Sequence, residues 1–257
     1  MIMRSVNSTT SAARTTVRRE LREALKIIDL QPTVLIGLGG AGGEAVRRVK
    51  HQLDRRGLES HVIMRVFDTD PSAIKGSGGL PSFDDQEFCH VSMDRIPTVL
   101  DDPARHAYLT KRLGLANPEH RSFLERVLNT GIDQAGQVRQ LGLLSGLTNS
   151  SLVGDRLRSA LAEVTHVFRG LIAMRERENP IRLRQRTKAV VISSVCGGSG
   201  GSLFLEEIAL LRSLTHNLNV GYRGPIKLLS VLKNVGLRKP RATLASLWKR
   251  LRVLNGI

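Results

Sequence analysis

Two glycine-rich segments carry the clearest chemical signal in the sequence, because each lies between a predicted buried strand and a predicted helix. The first glycine segment is residues 37–43 (GLGGAGG), and the second glycine segment is residues 196–202 (CGGSGGS). Glycine allows a positive φ and a close approach of the backbone to a ligand. Successive N–H groups at a helix N-terminus also favour an anion. Two such segments predict a single site for a polyphosphate, to which Ser199 and Ser202 add hydroxyl donors.

A short acidic turn follows the second predicted strand of the chain. Residues 61–67 (HVIMRVF) read as a buried strand, and Asp68-Thr69-Asp70 come directly after it. A carboxylate at such a strand end hydrogen-bonds a ribose or helps to hold Mg²⁺ beside phosphates. The alternative interpretation is a simple helix cap or turn, and the residues alone leave both open.

The hydrophobic pattern supplies the elements that position these segments. Runs of apolar residues predict strands, and apolar positions at helical spacing predict helices. The predicted strands are residues 33–36, 61–67, 187–195 and 226–232, and the predicted helices are residues 16–28, 44–53, 121–129, 154–177 and 203–214. Residues 71–98 are predicted to be irregular. The repeated order of strand, loop and helix favours an α/β fold that is Rossmann-like, with a mostly parallel sheet and helices on both faces.

Length and composition limit the class of protein. The chain has 257 residues, 41% of them hydrophobic, which is enough for one sizeable domain. We expect a disordered segment and an amphipathic helix over residues 1–30, a nucleotide-binding domain over residues 31–232, and a basic tail over residues 233–257. We interpret the net charge of +16 as basic residues spread over solvated helix faces. The alternative interpretation is that the basic tail contacts DNA or anionic lipid.

Cysteine content and hydropathy indicate a cytoplasmic protein. The two cysteines, Cys89 and Cys196, define neither a disulfide framework nor a metal site. The N-terminus contains no apolar run of signal-peptide length, and no stretch is long enough to span a bilayer. A reducing compartment fits these features best.

The sequence resembles the tubulin/FtsZ superfamily, and most of all its bacterial tubulin-like proteins. IGLGGAGGEAVRRV is similar to the first phosphate loop and helix of FtsZ, and VFDTDPSAI is similar to the second loop. SSVCGGSGGSLFLE is similar to the glycine-rich tubulin signature, and DQAGQVRQLGLLSG is a weaker match to the third phosphate loop. The order and spacing of these segments agree over residues 32–232.

The resemblance implies that the chain binds GTP or GDP with Mg²⁺ and assembles head to tail into cytoskeletal filaments. It places Asp68 and Asp70 near the γ-phosphate and the metal, and Gly39, Gly40 and Ala41 near the α- and β-phosphates. The other nucleotide-binding positions that it implies are Gly37, Gly42, Ala135, Gly136, Gln137, Gly197, Gly198, Ser199, Gly200 and Gly201.

The sequence also departs from the family pattern. Cys196 replaces the first signature glycine, Gly201 the small hydroxyl residue and Ser202 the last glycine, while Leu143 stands where an arginine is usual. No acidic residue follows Glu207, so the acidic loop that activates water in the family is not supplied by this chain. We therefore expect a fragment or a shifted reading frame, and leave GTP hydrolysis open.

Three other functions compete with this interpretation. A dinucleotide-dependent oxidoreductase explains Gly37, Gly39 and Gly42 as its fingerprint, but leaves the second glycine segment unexplained. A serine hydrolase explains Ser199 as the nucleophile, but His216 and the acids that follow Ser199 are too close to it in sequence. A tubulin-like scaffold that does not hydrolyse nucleotide is the third. A Walker-type ATPase is disfavoured because neither segment ends in Gly-Lys-(Ser/Thr).

Overall fold

The computed structural model describes residues 28–59, 62–76, 78–177, 181–183, 188–217 and 226–230. The predicted helix over residues 16–28, except its last residue, and the basic tail lie outside these ranges. The strands are β1 (Ile28–Leu30), β2 (Thr33–Leu38), β3 (Val62–Asp68), β4 (Phe88–His90), β5 (Ile181–Leu183), β6 (Lys188–Ser193) and β7 (Ile226–Ser230). The helices are α1 (Gly39–Asp54), α2 (Ile96–Asp101), α3 (Ala107–Leu113), α4 (Pro118–Asn129), α5 (Arg139–Thr148), α6 (Ser150–Arg177) and α7 (Gly198–Asn217), with a short 3₁₀-helix over Pro71–Ile74.

Five parallel strands form the central sheet in the order β4-β3-β2-β6-β7. From β2 the chain moves outwards through β3 to β4, and later returns to the other side of β2 for β6 and β7. The direction of winding therefore reverses between β2 and β6. β1 and β5 pair with each other in a separate parallel ribbon. The four strands predicted from the hydrophobic runs correspond to β2, β3, β6 and β7.

Helices cover both faces of the sheet, as predicted. On one face, β2 side chains such as Ile36 pack with Phe67 against α6 and α7. On the other face, Leu35 and Met64 pack against Val46 of α1. Both faces of the sheet are covered, so its strands are nearly continuous apolar runs, as is typical of parallel sheets.

A second cluster of buried side chains lies within the helices that follow β4. Ile96 of α2, Leu124 of α4 and Leu141 of α5 are among its members, and Ala135 belongs to it as well. The prediction that residues 71–98 are irregular was wrong in part, because the segment contains the 3₁₀-helix, β4 and the start of α2. These elements are too short to show a clear hydrophobic period.

Both glycine segments are partly helical, which corrects their prediction as loops. α1 begins at Gly39 and α7 at Gly198, five residues before each predicted helix start. Glycine has a low helix propensity, so composition favoured a loop. In the structure, close packing of the segments against strand ends and against each other overrides that propensity.

Glu207 is a charged residue in an apolar environment. It lies on α7 with 2% of its surface exposed, and neither carboxyl oxygen has a hydrogen-bond partner among the described residues. Burial raises the pKa of Glu207 from 4.5 to about 8. Glu207 is therefore neutral in the folded protein near pH 7. Burial also raises the pKa of the Cys89 thiol to about 11, while Arg156 opposes this increase and the charge of Glu207 adds to it.

We expect Glu207→Gln to stabilise the protein at high pH. The raised pKa means that the folded state holds a proton which the unfolded state releases, so the free energy of unfolding falls as pH rises from about 4.5 to about 8. Glutamine removes this loss, and the variant should be more stable than the wild type by about 2–4 kcal/mol at pH 8. Near pH 5 the two should be similar.

Denaturant unfolding at pH 5 and pH 8 checks this expectation. Glu125→Gln, at a half-exposed position on α4, is the matched control and should leave the pH dependence unchanged. An equal effect of Glu207→Gln at both pH values would show that the carboxyl is not neutral in the fold.

Candidate functional site

The predicted segments converge at the carboxyl end of the sheet. In the parallel register, Leu38 of β2 lies between Phe67 of β3 and Ser193 of β6. The first glycine segment, the acidic turn and the second glycine segment therefore leave three neighbouring strands on the same edge. In open parallel sheets, ligands bind at the carboxyl edge where the winding reverses, and here that point lies between β2 and β6.

The two glycine segments touch through their backbones. Gly39 has a φ of +67°, and a Cβ there would lie 2.6 Å from the amide nitrogen of Gly200. A Cβ on Gly200 would lie 2.6 Å from the carbonyl oxygen of Leu38, and one on Gly42 would lie 2.4 Å from that of Ile192. Side chains at these positions would push β2, α1 and α7 apart. These glycines are required by packing, whatever binds beside them.

The remaining positions divide into buried supports and accessible lining. The buried predicted site residues are Gly37, Gly39, Gly42, Asp68, Ala135, Gly198, Ser199 and Gly200. The exposed or partly exposed ones are Gly40, Ala41, Asp70, Gly136, Gln137, Gly197 and Gly201. A Cβ on Gly40 would have only the carboxylate of Asp68 nearby, at 3.8 Å, and one on Gly197 would meet nothing within 4 Å. A ligand therefore has free access to the backbone at these two glycines.

Both helices present N-terminal amides to this cleft. The first N–H groups of a helix lack intrahelical acceptors. Neither α1 nor α7 has an acidic residue in its first turn, and no side chain caps α1. In α7 the amide of Gly198 donates to the carbonyl of Gly136 at 2.9 Å. By helix geometry, the amides of Ser199 and Gly200 remain for an anion, together with those of Gly40 and Ala41 in α1.

The third segment, residues 135–137, joins the cleft by docking on α7. Besides the hydrogen bond from Gly198 to Gly136, the amide of Ala135 donates to the Thr69 hydroxyl at 2.9 Å. A Cβ on Gly198 would lie within 3.1 Å of three carbonyl oxygens of this region. Gly136 itself has a φ of +52°. Gly136 and Gln137 are exposed beside the other segments.

The two acids of the acidic turn have different surroundings. Asp68 is 4% exposed, and burial raises its pKa. The Asp70 amide, the Ser199 hydroxyl and the Thr69 amide lower the pKa and offset part of this increase. Its carboxylate faces Gly40. Asp70 accepts a hydrogen bond from the Ser72 amide at 2.8 Å and caps the 3₁₀-helix. The capping alternative therefore describes Asp70, whereas Asp68 is the acid on the cleft floor.

The serine hydroxyls are engaged within the protein. The Ser202 hydroxyl was predicted to donate to a ligand. In the structure it donates instead to the carbonyl of Gly198, four residues earlier in α7. The Ser199 Oγ lies 2.8 Å from the Thr69 Oγ1. Among the described residues, its side-chain hydrogen-bond partner is Thr69, not a histidine that could act as the general base. The geometry gives the hydrolase interpretation no support.

Sequence reasoning missed two residues that hold the site together. Thr69, 1% exposed, bonds both Ala135 and Ser199. Ser193, the last residue of β6, donates its hydroxyl to the carbonyl of Gly200 at 2.6 Å. The available signals were weak, because Thr69 follows the predicted strand over residues 61–67 and Ser193 lies near the end of the predicted strand over residues 187–195.

Three general predictions can be compared with the described part of the chain. Within it, both cysteines are free, and no three metal-binding side chains cluster. None of its helices combines the length and apolar character that crossing a membrane demands.

A parallel sheet with glycine-rich helix N-termini at its switch point defines the mononucleotide-binding class of α/β architecture. The family whose model is described as "Tubulin like" matches residues 34–231. The match includes the whole central sheet except the first residue of β2, and all four converging segments. The chain belongs to this tubulin-like family.

Comparison with solved structures gives a more distant likeness. CetZ1 from Haloferax volcanii, a GDP-bound monomer, matches with 13% sequence identity and a TM-score of 0.35. The alignment covers 80% of this chain and 42% of that one, so the matched part of the chain spans less than half of CetZ1. No curated protein matches the chain by sequence.

Proposed function

We propose that the chain binds GTP or GDP, with Mg²⁺, in the cleft between the N-termini of α1 and α7. The observation that carries this proposal is the convergence of two glycine-rich helix N-termini at the switch point of the sheet. The amides of Gly40 and Ala41 meet the phosphates from one side, and those of Ser199 and Gly200 from the other. Membership of the tubulin-like family supports guanine as the base.

Mg²⁺ fits the residues at the floor of the cleft. This ion is commonly held by one or two carboxylates, substrate phosphates and water. Asp68 supplies a buried carboxylate facing Gly40, beside the proposed path of the phosphates. Without a cation, its charge would repel a polyphosphate. Bound Mg²⁺ supplies the positive charge between the carboxylate and the phosphates, and Asp70 at the rim is the second acid.

The remaining properties in the proposal come from the family and the sequence. They are a bacterial source, a cytoplasmic location, and head-to-tail assembly into filaments. Assembly of this kind is heterologous and gives open filaments. The domain limits at residues 31 and 232, and an anionic partner for the basic tail, stay predictions. The oxidoreductase alternative still leaves the second glycine segment without a role.

The first test is calorimetric titration of the protein with GTP, ATP and NAD, with and without Mg²⁺. We expect binding of GTP that is stronger than that of ATP or NAD. Gly40→Val should weaken GTP binding by about 100-fold, equivalent to about 2.7 kcal/mol, because its side chain fills the space above Asp68. The fold should survive, since Gly40 is exposed and has room for a Cβ.

Gly170→Val is the matched control, because Gly170 is an exposed helical glycine on α6 with nothing within 4 Å of an added Cβ. It should leave GTP affinity unchanged, and both variants should melt within a few degrees of the wild type. No GTP binding by the wild-type protein, or full affinity in Gly40→Val, would count against this site.

Asp68→Asn tests the metal separately. We expect the variant to bind GTP about tenfold more weakly than the wild type in Mg²⁺, because a metal ligand is lost. In EDTA it should bind as tightly as the wild type or more so, because a negative charge beside the phosphates is gone.

The same titrations on Asp155→Asn provide the control, since Asp155 is an exposed acid on α6 paired with Arg158. Equal losses with and without Mg²⁺ would mean that Asp68 has no part in holding the cation.

A further inference from the structure

A hydrogen-bonded series of three polar groups runs through the floor of the cleft. The Ala135 amide donates to the Thr69 Oγ1 at 2.9 Å, and the Thr69 Oγ1 lies 2.8 Å from the Ser199 Oγ. Thr69 is 66 residues from Ala135 and 130 from Ser199 in sequence. These hydrogen bonds therefore connect segments that only the fold brings together.

The chemistry of the groups sets what position 69 must supply. The Ala135 amide always donates, so the Thr69 hydroxyl oxygen accepts from it. In the hydrogen bond between the Thr69 and Ser199 hydroxyls, either oxygen can be the donor. A hydroxyl that accepts from Ala135 and also hydrogen-bonds Ser199 is therefore needed at position 69.

Thr69 itself cannot reach a ligand. Only 1% of its surface is exposed, and its hydroxyl is occupied on both sides. Its carbonyl oxygen lies 3.1 Å from the Nε2 of His90 at the end of β4, so its backbone is held as well.

We propose that Thr69 is the positioning residue of the cleft: its hydroxyl locks the third segment and the N-terminus of α7 to the acidic turn, so that their amides and Asp68 face a bound nucleotide together. This inference rests on the proposed function. It assigns nucleotide affinity to a buried hydroxyl that touches no phosphate. A side chain at position 69 without a hydroxyl breaks both hydrogen bonds.

The test compares Thr69→Val with Thr69→Ser. Valine keeps the shape without the hydroxyl, whereas serine keeps the hydroxyl. GTP affinity, measured calorimetrically in Mg²⁺, should fall at least tenfold in Thr69→Val and stay within about threefold of the wild type in Thr69→Ser. Thr165→Val is the control, because the Thr165 hydroxyl donates to the Leu161 carbonyl within α6. It should leave affinity unchanged.

A double-mutant cycle separates positioning from mere packing. Ser199→Ala removes the next hydroxyl in the chain without altering the backbone amide. If the two residues act as one chain, Ser199→Ala should weaken binding severalfold in the wild type, yet add little in Thr69→Val. Additive losses would mean that Ser199 contacts the nucleotide independently of Thr69, and would overturn the proposal.

Other outcomes are equally decisive. If the wild type binds GTP and folded Thr69→Val binds it equally well, the inference is wrong while the proposed function stands. If the wild type does not bind GTP, the proposed function itself has failed. Should Thr69→Val not fold, Ser199→Ala alone serves as the test. Full GTP affinity in Ser199→Ala would then contradict the proposal that these hydroxyls position the cleft.

Discussion

The close approach of the Gly39 and Gly200 backbones is the constraint on which the rest of the site depends. A Cβ on Gly39 would lie 2.6 Å from the Gly200 amide nitrogen, so neither segment can carry ordinary side chains at the contact. Because β2 and β6 are adjacent and in register, the helices that follow them must begin side by side. Their amides, which lack intrahelical acceptors, then point into one space.

The glycines consequently have two separate roles. Buried glycines such as Gly42 and Gly198 allow backbone-to-backbone packing, whereas Gly40 and Gly197 leave the backbone open at the cleft. The departure from the family pattern at Cys196 falls at an exposed position. The one at Ser202 places a hydroxyl that is satisfied within α7. Neither substitution disturbs the contact between the two segments.

Sequence reasoning could find four of the five strands of the central sheet and the convergence, but not the geometry within the cleft. Strand runs such as residues 33–36 are long, apolar and buried on both faces, so their pattern is clear. The helix starts at Gly39 and Gly198 could not be recognised, because tertiary packing overrides glycine's low helix propensity. The link through Thr69 joins residues far apart in sequence, and no local pattern reports such contacts. The resemblance also treated Asp68 and Asp70 as equivalent, although burial and capping distinguish them.

Hydrogen–deuterium exchange of the protein with and without GTP and Mg²⁺ tests the central claim most directly, because it reports on backbone amides. If amides from separate strand ends hold one nucleotide, GTP should slow exchange together in peptides covering residues 38–44, 68–70, 135–138 and 196–201. Exchange in peptides that cover α6 should be unaffected. Protection confined to one glycine segment, or located away from the carboxyl edge of the sheet, would contradict the shared site.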